Sequence, residues 1–378
     1  MARSIGLRHA KTERWMAGAK ACLLGRQAQA CTLRRRQASG DQWRRVEGWP
    51  RALARAIPIS WSAQAILRLE MRKFLIDTDV ASDDAVALIM ALKHPDVAIE
   101  GITVVAGNVP VEQAVQNGLY TLELCGRDVP VYQGAAKPLL RTLETAQFVH
   151  GEDGMGDIGL DLSGRVPREG NAVDVIIDTA KKHAGELEVV TLGPLTNMAI
   201  ALLKEPSIAK DIRSCTIMGG VGAGHGNVTP VSEYNIWVDP EAAKIVFDSG
   251  LKITMVGWDI SRNHAHFGED DVVEFRAIDT ALSDFSLDIQ KSVNEFAMKV
   301  SKLPGFDLPD PIAMAIALDP STATKTIETN VEVVISNGAT RGQTIVDHNH
   351  TIPEGPTCKV VLEASRERFL EMLYAAMR

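Results

Sequence analysis

The chain has 378 residues, 46% of them hydrophobic, which is enough to bury the core of one large domain or two modest ones. Its net charge of −8 argues against general nucleic-acid binding, and since no apolar run reaches about 18 residues we expect no membrane-spanning helix. The five cysteines lack a CxxC spacing, which argues against a disulfide framework or a zinc site and predicts reduced thiols in a cytoplasmic protein.

The charge is unevenly distributed along the chain. Residues 1–70 hold 12 Arg and 2 Lys against 4 acidic residues, a net charge of +10, so the remainder carries −18. This segment shows no sustained helical or strand period. Three interpretations stay open: a basic arm for nucleic acid, an organelle-targeting presequence, or a basic N-terminal extension that is disordered or not native. We favour the extension, since a strand pattern follows Met71 at once and a chain beginning there would be a complete α/β domain.

From Met71 onward, short aliphatic runs alternate with amphipathic stretches. We predict strands at Phe74–Ile76, Ile99–Val105, Leu187–Thr191, Cys215–Met218, Ile253–Val256, Val331–Ile335, Gln343–Val346 and Cys358–Val361, and helices at Asp83–Lys93, Val111–Cys125, Leu195–Leu203, Pro240–Asp248 and Arg366–Met377. Such alternation is typical of βαβ units. It predicts an α/β fold with a mostly parallel central sheet flanked by helices, in one domain over residues 71–378. Binding sites in such folds gather at the carboxyl ends of the strands.

The strongest chemical signal follows the first strand directly, in the run Asp77-Thr-Asp79-Val-Ala-Ser-Asp83-Asp84. Carboxylates this close repel one another at neutral pH unless a cation neutralises them. Oxygen-only ligands favour a hard ion, Ca²⁺ or Mg²⁺. The structural alternative is an acidic turn before a helix, with Ser82 or Asp83 as the N-cap.

Two other metal motifs account for this run less well. An EF-hand loop that starts at Asp77 would need Gly and Glu where Ser82 and Leu88 stand. Phosphotransferases with a strand-end Asp-x-Asp nucleophile match Asp77 and Asp79 but do not require the acidic pair that follows. The full pattern, Asp-x-Asp-x-x-x-Asp-Asp, resembles the signature of the nucleoside hydrolase family, which implies that family's Rossmann-like fold.

The resemblance continues along the chain in the order of the family's motifs. The matching segments are Val105-Ala-Gly-Asn108, Val149-His-Gly-Glu-Asp-Gly154, Thr191-Leu-Gly-Pro-Leu-Thr-Asn197, Met218-Gly-Gly220 through Gly226-Asn227, Glu233-Tyr-Asn235, Asp239-Pro-Glu-Ala-Ala243 and Asp310-Pro-Ile-Ala313. Each segment alone is a weak signal, but the set is highly specific and covers residues 71–320 closely.

The resemblance implies hydrolysis of the N-glycosidic bond of a ribonucleoside to ribose and free base by a calcium-bound water. It implies that Asp79 is the general base and that the metal ligands are Asp79, Asp84, Asp310 and the backbone carbonyl of Leu192. The implied substrate-binding residues are Asp83, Asn108, Asn227, Glu233 and Asn235, with Asp77 bracing the loop from behind. A homodimer or homotetramer is also implied, with a nucleoside as the partner and neither nucleic acid nor membrane.

Several residues have a structural alternative. Asp239-Pro240 and Asp310-Pro311 each fit an N-cap followed by proline at the first helical position; we favour the cap for Asp239 and the ligand for Asp310. Glu233 and Asn235 alternate, so on an extended stretch both side chains would face one site.

The chain departs from the family at the group that helps the base to leave. Many members carry His directly before the last metal aspartate, where this chain has Pro309, which cannot donate a proton. The candidate acids are His150, His225, His264 and His266, and Trp258 is a candidate stacking surface. Two rival functions stay open: a catalytically weak ribose- or nucleoside-binding homologue, and a Mg²⁺-dependent phosphotransferase that uses Asp77.

Overall fold

The structure, a computed structural model, describes residues 71–352, 355 and 358–378. Our prediction for residues 1–70 lies outside these residues. The strands are β1 (Arg72–Thr78), β2 (Val97–Val104), β3 (Val131–Gln133), β4 (Leu187–Thr191), β5 (Ser214–Met218), β6 (Ile253–Val256), β7 (His266–Phe267), β8 (Phe306–Asp307), β9 (Ala323–Thr329), β10 (Val331–Val333), β11 (Thr344–Val346) and β12 (Cys358–Ala364).

The α-helices are α1 (Ser82–Lys93), α2 (Val111–Leu124), α3 (Gln147–His150), α4 (Ala172–Lys182), α5 (Thr196–Lys204), α6 (Ile208–Asp211), α7 (Tyr234–Val238), α8 (Pro240–Phe247), α9 (Trp258–His264), α10 (Glu269–Arg276), α11 (Ala281–Asp288), α12 (Lys291–Phe296), α13 (Pro309–Leu318) and α14 (Arg366–Met377). A π-helical turn, Ala297–Ser301, follows α12, and a 3₁₀ turn, Pro320–Thr322, follows α13. Among the residues described, no helix is long and apolar enough to cross a membrane.

The central sheet has the strand order β3-β2-β1-β4-β5-β6-β12-β9. Each neighbouring pair from β3 to β12 is parallel, and the edge strand β9 pairs with β12 in the antiparallel direction. The predicted α/β fold with a mostly parallel sheet is therefore confirmed. In register, Asp77 on β1 lies between Thr103 on β2 and Thr191 on β4, so the loops that leave these three strands start side by side.

Burial on both faces explains why β1 has no alternation of apolar and polar residues. Phe74, Leu75 and Ile76 have no exposed surface. Phe74 and Ile76 belong to the core cluster that contains α1, α2, α13 and α14, while Leu75 belongs to the cluster with α4, α5 and α8. A strand that is covered on both faces by helices is apolar throughout, which is the signal the sequence carries.

The predicted ends of most strands and helices lie close to the observed ends, because the apolar pattern of a buried element stops where the element stops. Leu187–Thr191, Ile253–Val256 and Arg366–Met377 match the observed elements, and most other predicted ends move by one or two residues. The sequence pattern missed β3, which is too short to show a period, and β9, whose side chains are largely exposed at the sheet edge. It also missed α4, although Asn171 caps that helix by accepting the Val173 N–H at 2.9 Å.

Candidate active site

A cavity of about 730 Å³ lies at the carboxyl ends of the parallel strands. Residues at or just after the ends of five adjacent strands line this cavity. They are Asp83 after β1, Asn108 after β2, Leu192 after β4, Met218 at the end of β5 and Trp258 after β6. Loops leaving the same edge of a parallel sheet converge, so the strand order alone brings these distant residues together.

The predicted site residues divide into two groups. The cavity is lined by Asp83, Asn108, Leu192, Asn227, Glu233, Asn235 and Asp310. Asp79 and Asp84 have no exposed surface and are not among the lining residues. All five predicted substrate-binding residues therefore face one space, and two of the predicted metal ligands lie deeper.

Three carboxyl groups meet at the inner end of this space. Asp83, Asp84 and Asp310 each offer an oxygen, and these atoms lie within 4.8 Å of one another. Burial raises the pKa of Asp84 to about 7, and repulsion from Asp83 adds to it. Burial and then repulsion from Asp84 raise the pKa of both Asp79 and Asp310 well above the usual range. Asp79 thus belongs to the same electrostatic cluster, and these groups can all be ionised only with a cation among them.

The donor set fits a hard divalent cation. Asp79 Oδ1 and Asp83 Oδ1 are buried and have no hydrogen-bond partner among the described residues, which is unusual for buried carboxylate oxygens. The other oxygen of Asp79 accepts the Asn108 N–H at 2.6 Å, which fixes the orientation of the carboxylate. Asp84 is fixed by the Thr78 hydroxyl at 2.5 Å and the Ala81 N–H at 2.9 Å. Oxygen-only sites of this kind suit Ca²⁺ or Mg²⁺.

Two glycines that we did not single out make room for Asp79. A Cβ at Gly193 would stand 2.7 Å from Asp79 Oδ1, and one at Gly107 would stand 2.8 Å from Asp79 Cγ. Real Cβ atoms do not approach other heavy atoms so closely. Both glycines occur in the loop motifs that the resemblance picked out, which was the available signal for their role.

Asp77 lies behind the site and joins three elements. Its Oδ1 accepts the Thr103 hydroxyl at 2.6 Å and the Asn197 amide at 2.8 Å. The Asn197 amide also donates to Val104 O at 3.2 Å and accepts the Ala135 N–H at 2.9 Å. Burial raises the pKa of Asp77 to about 7, although these two hydrogen bonds act to lower it. This geometry suits a brace, because the two hydrogen bonds tie the carboxylate to Thr103 on β2 and Asn197 on α5.

The expectation that Glu233 and Asn235 alternate on an extended stretch is wrong. Glu233 is the N-cap of α7, and its carboxylate accepts N–H groups from Gly220 and Asn235, each at 2.8 Å. A carboxylate satisfies the free N–H groups at the start of a helix, which favours the helix over a strand here. Asn235 still reaches the site, since its amide donates to Leu192 O at 2.7 Å and its buried Oδ1 has no partner in the described part of the chain.

The helix caps that we weighed as structural alternatives hold only for Asp239, the one residue for which we favoured the cap. Asp239 caps α8 by accepting the Ala242 N–H at 3.1 Å, as expected. Asp310 does not cap a helix, because α13 begins one residue earlier, at Pro309. Ser82 is not a cap either, since Ala81 holds the N-cap position of α1. A structural role as a cap is therefore removed for Asp310.

The candidate acids are spread over different places. His150 and His225 line the cavity, as does Trp258, whereas His264 and His266 are not among the lining residues. His150 Nδ1 is 3.1 Å from Ser82 Oγ and 3.8 Å from Asp83 Oδ1, and burial lowers its pKa. His150 therefore stands beside the carboxylate cluster.

Sequence reasoning missed a charged pair in the cavity wall. Arg262 and Asp307 both line the cavity, and Arg262 Nη1 donates to Asp307 Oδ2 at 2.7 Å. Neither residue lies in a recognised motif, so no pattern marked them. Much of the remaining lining is apolar and includes the rings of Phe148 and Phe296, with centroids 5.7 Å apart.

Known proteins resemble the chain over most of its length. A family profile described as inosine-uridine preferring nucleoside hydrolase matches residues 74–371. The pyrimidine-specific ribonucleoside hydrolase RihA of Salmonella agona is 37% identical over 305 residues, which cover 79% of this chain and 96% of that protein. A solved plant nucleoside hydrolase, the PpNRh1 enzyme, has a TM-score of 0.77 at 32% identity, covering 81% of this chain and 98% of its own. A purine-preferring ribonucleoside hydrolase from Gardnerella vaginalis has a TM-score of 0.75 at 34% identity, with the same coverage.

Proposed function

We propose that this chain, which belongs to the inosine-uridine preferring nucleoside hydrolase family, splits a ribonucleoside into ribose and free base with the help of a bound calcium ion. As a member of that family it is an N-glycosyl hydrolase that acts on ribonucleosides. One observation supports the detailed proposal above all: a buried carboxylate cluster adjoins a cavity lined by the acids and amides that a ribose needs.

The calcium ligands that we propose are Asp79, Asp84, Asp310 and the carbonyl oxygen of Leu192. The unpartnered Oδ1 of Asp79 and the close approach of Asp84 to Asp310 support this set. We assign Asp83 to the substrate, as the family resemblance implies, since it lines the cavity and its unpartnered Oδ1 can accept a ribose hydroxyl. When bound, calcium would supply charge that lowers the pKa of a water molecule and holds the ribose hydroxyls.

Asp79 is the general base of the proposal. Its Oδ2 accepts the Asn108 N–H, which fixes the orientation of the whole carboxylate, including the Oδ1 that would contact the calcium. A base fixed in this way takes a proton from water without first losing rotational freedom. The glycines at 107 and 193 keep the space around this carboxylate clear.

The ribose site is built from acceptors held in place by the backbone. Glu233 accepts three backbone N–H groups, including that of Ile236 at 3.3 Å, and Asn227 Oδ1 accepts the Tyr234 N–H at 2.9 Å. Asn235 offers a buried Oδ1 without a partner to a ribose hydroxyl. Fixed carboxylates around the sugar also favour the positive charge that develops when the C–N bond breaks.

Release of base and reducing sugar tests this function. We expect a panel of purine and pyrimidine nucleosides to include at least one that the protein cleaves with calcium and not with EDTA. Asp79→Asn should lower kcat by about 100-fold or more while the chain remains folded, because the base is lost. The matched control is Asp178→Asn, on an exposed position of α4. Equal activity of the two variants would remove Asp79 as the base.

A second candidate function is a nucleoside-binding protein with little turnover. It is motivated by Pro309, which lines the cavity and has no proton to give. It predicts that calorimetry detects nucleoside binding in the presence of calcium while no free base is released. The phosphotransferase is disfavoured, because Asp77 is tied to Thr103 and Asn197 behind the site, whereas Asp79 adds to the repulsion that raises the pKa of the cavity-lining Asp310.

We further propose that residues 71–378 form the working domain, that the enzyme is a homodimer or homotetramer, and that it acts in the cytoplasm. Light scattering on the purified chain measures the assembly. A monomer at micromolar concentration would contradict the proposed oligomer.

A further inference from the structure

The wall around Pro309 poses a chemical problem for the proposed reaction. When the bond between C1′ and the base nitrogen breaks, its electron pair goes to the base, so the base leaves more easily when hydrogen-bond donors or a proton reach it. Pro309 lines the cavity at the first position of α13 and offers neither. Another group in the same wall must supply donors.

Arg262 is anchored in that wall. Its partner Asp307 precedes Pro309 by two residues, and all three line the cavity. The Asp307 side chain is only 3% exposed and also contacts His266, with Nδ1 3.0 Å from its Oδ1. A buried carboxylate with two partners is a fixed anchor, so it fixes the position of the guanidinium in the cavity wall.

Most N–H groups of the Arg262 guanidinium have no hydrogen-bond partner among the described residues. Arginine carries five N–H groups in a planar fork, and within the described residues its one hydrogen bond is the Nη1 contact to Asp307. The side chain keeps 30% of its surface exposed and lines the cavity, so its remaining N–H groups have access to a ligand.

We infer that Arg262, positioned by Asp307, binds the departing base through its free N–H groups, and that it selects 6-oxopurine nucleosides over adenosine. The inference rests on the proposed function and names the residue that replaces the missing acid. Oxygen O6 and nitrogen N7 of a 6-oxopurine are adjacent acceptors that match two N–H groups of arginine. Adenosine has an amino group at the same edge, and its hydrogens would face the cation.

His150 and His225 also line the cavity, and of these His150 stands beside the carboxylate cluster. Its ring nitrogen contacts Ser82 and lies near Asp83, which we assign to the ribose. Arg262, in contrast, belongs to the wall that Asp307 and Pro309 form. We therefore assign His150 to the ribose and Arg262 to the base.

The assisted step is balanced without a proton from arginine. The water oxygen forms a bond to C1′ as the bond from C1′ to the base nitrogen breaks, and one water proton goes to Asp79. The electron pair of the broken bond spreads over the purine onto N7 and O6. The Arg262 N–H groups donate hydrogen bonds to this anion and keep their protons, and the base takes a proton from solvent after release.

Two substrates separate this role from a structural one. Inosine needs help for its leaving base, whereas p-nitrophenyl β-D-ribofuranoside releases a phenolate that is stable without it. We expect Arg262→Gln to lower kcat/KM for inosine by about 100-fold and to change that for the nitrophenyl riboside by less than about threefold. Arg262→Lys keeps the positive charge but lacks the planar set of N–H donors, so its kcat/KM for inosine should fall by an intermediate factor. This variant replaces Arg262→Gln in the test if the Gln variant does not fold.

The matched control is Arg276→Gln, which removes an arginine paired with Asp284 and Asp288 on the surface and should leave both activities unchanged. In the wild type, inosine should exceed adenosine in kcat/KM, and Arg262→Gln should remove most of that preference. Equal losses on inosine and the nitrophenyl riboside, or no loss on inosine, would overturn the inference.

The failure of this inference differs from the failure of the proposed function. A wild-type enzyme that cleaves pyrimidine nucleosides but not 6-oxopurine nucleosides would overturn the role of Arg262 and leave the hydrolase standing. A wild type that releases no base from any nucleoside with calcium present would overturn the proposed function, and the inference would fall with it.

Discussion

Gly107→Ala is a small change that should disable the site while leaving the fold intact. The added Cβ would lie 2.7 Å from Pro194 Cδ and 2.8 Å from Asp79 Cγ. Carbon atoms in contact stand about 3.5–4.0 Å apart, so the Asp79 carboxylate would have to retreat by about 1 Å. It has no exposed surface and is held by the Asn108 N–H at 2.6 Å, so it cannot move without losing that bond.

A displacement of about 1 Å at a catalytic group costs about 100-fold in rate. We therefore expect Gly107→Ala to lower kcat/KM for the preferred nucleoside by about this factor and to weaken calcium binding, measured by titration calorimetry. Gly118→Ala is the matched control, because its Cβ would meet only Val80 Cγ2, at an ordinary 3.4 Å. That variant lies inside α2 and should gain about 0.5–1 kcal/mol of stability without a change in rate.

Wild-type kcat/KM and calcium affinity in the Gly107→Ala variant would refute the view that this loop positions Asp79. A loss of activity that accompanies a large fall in the thermal unfolding midpoint would refute it as well, since the effect would then be on the fold. The prediction holds only if the loss is confined to catalysis and calcium binding.

Three further predictions concern the brace, the ion and the N-terminal segment. Asn197→Ala removes the amide that binds the Asp77 carboxylate, and we expect urea titration to show a loss of about 1–3 kcal/mol of unfolding free energy; an unchanged value would contradict the brace. Calcium at about 100 times its Kd should add about 2.7 kcal/mol to the free energy of unfolding, and EDTA should remove it; calorimetry without a shift would contradict the ion site. Removal of residues 1–70 should leave the unfolding midpoint and kcat/KM unchanged, and failure to fold would show that the segment is needed.

Much of the fold could be predicted because burial leaves a local pattern. β1 is covered on both faces, so Phe74 to Ile76 form an uninterrupted apolar run. Asp79 lies in the loop that follows this strand and Asp84 in the first turn of α1, and the repulsion between such close carboxylates already indicated a cation. The edge strand β9 was not predicted, because few of its side chains are buried and it therefore shows no such apolar run.

The conformation around Glu233 could not be predicted from spacing. Alternating polar residues fit an extended strand as well as a helix start. The tertiary structure decided between them, because the loop at Gly220 brings a backbone N–H to the Glu233 carboxylate and so completes the cap of α7.

The sequence by itself determined that acids follow a buried strand, that a cation suits them and that Pro309 cannot act as an acid. Only the tertiary structure decided that Asp310 meets Asp84 and that Asp307 holds Arg262 in the cavity wall. The physical reason is that periodicity records which faces of an element are buried. Contacts between distant residues depend on strand order and helix packing, which no local pattern records.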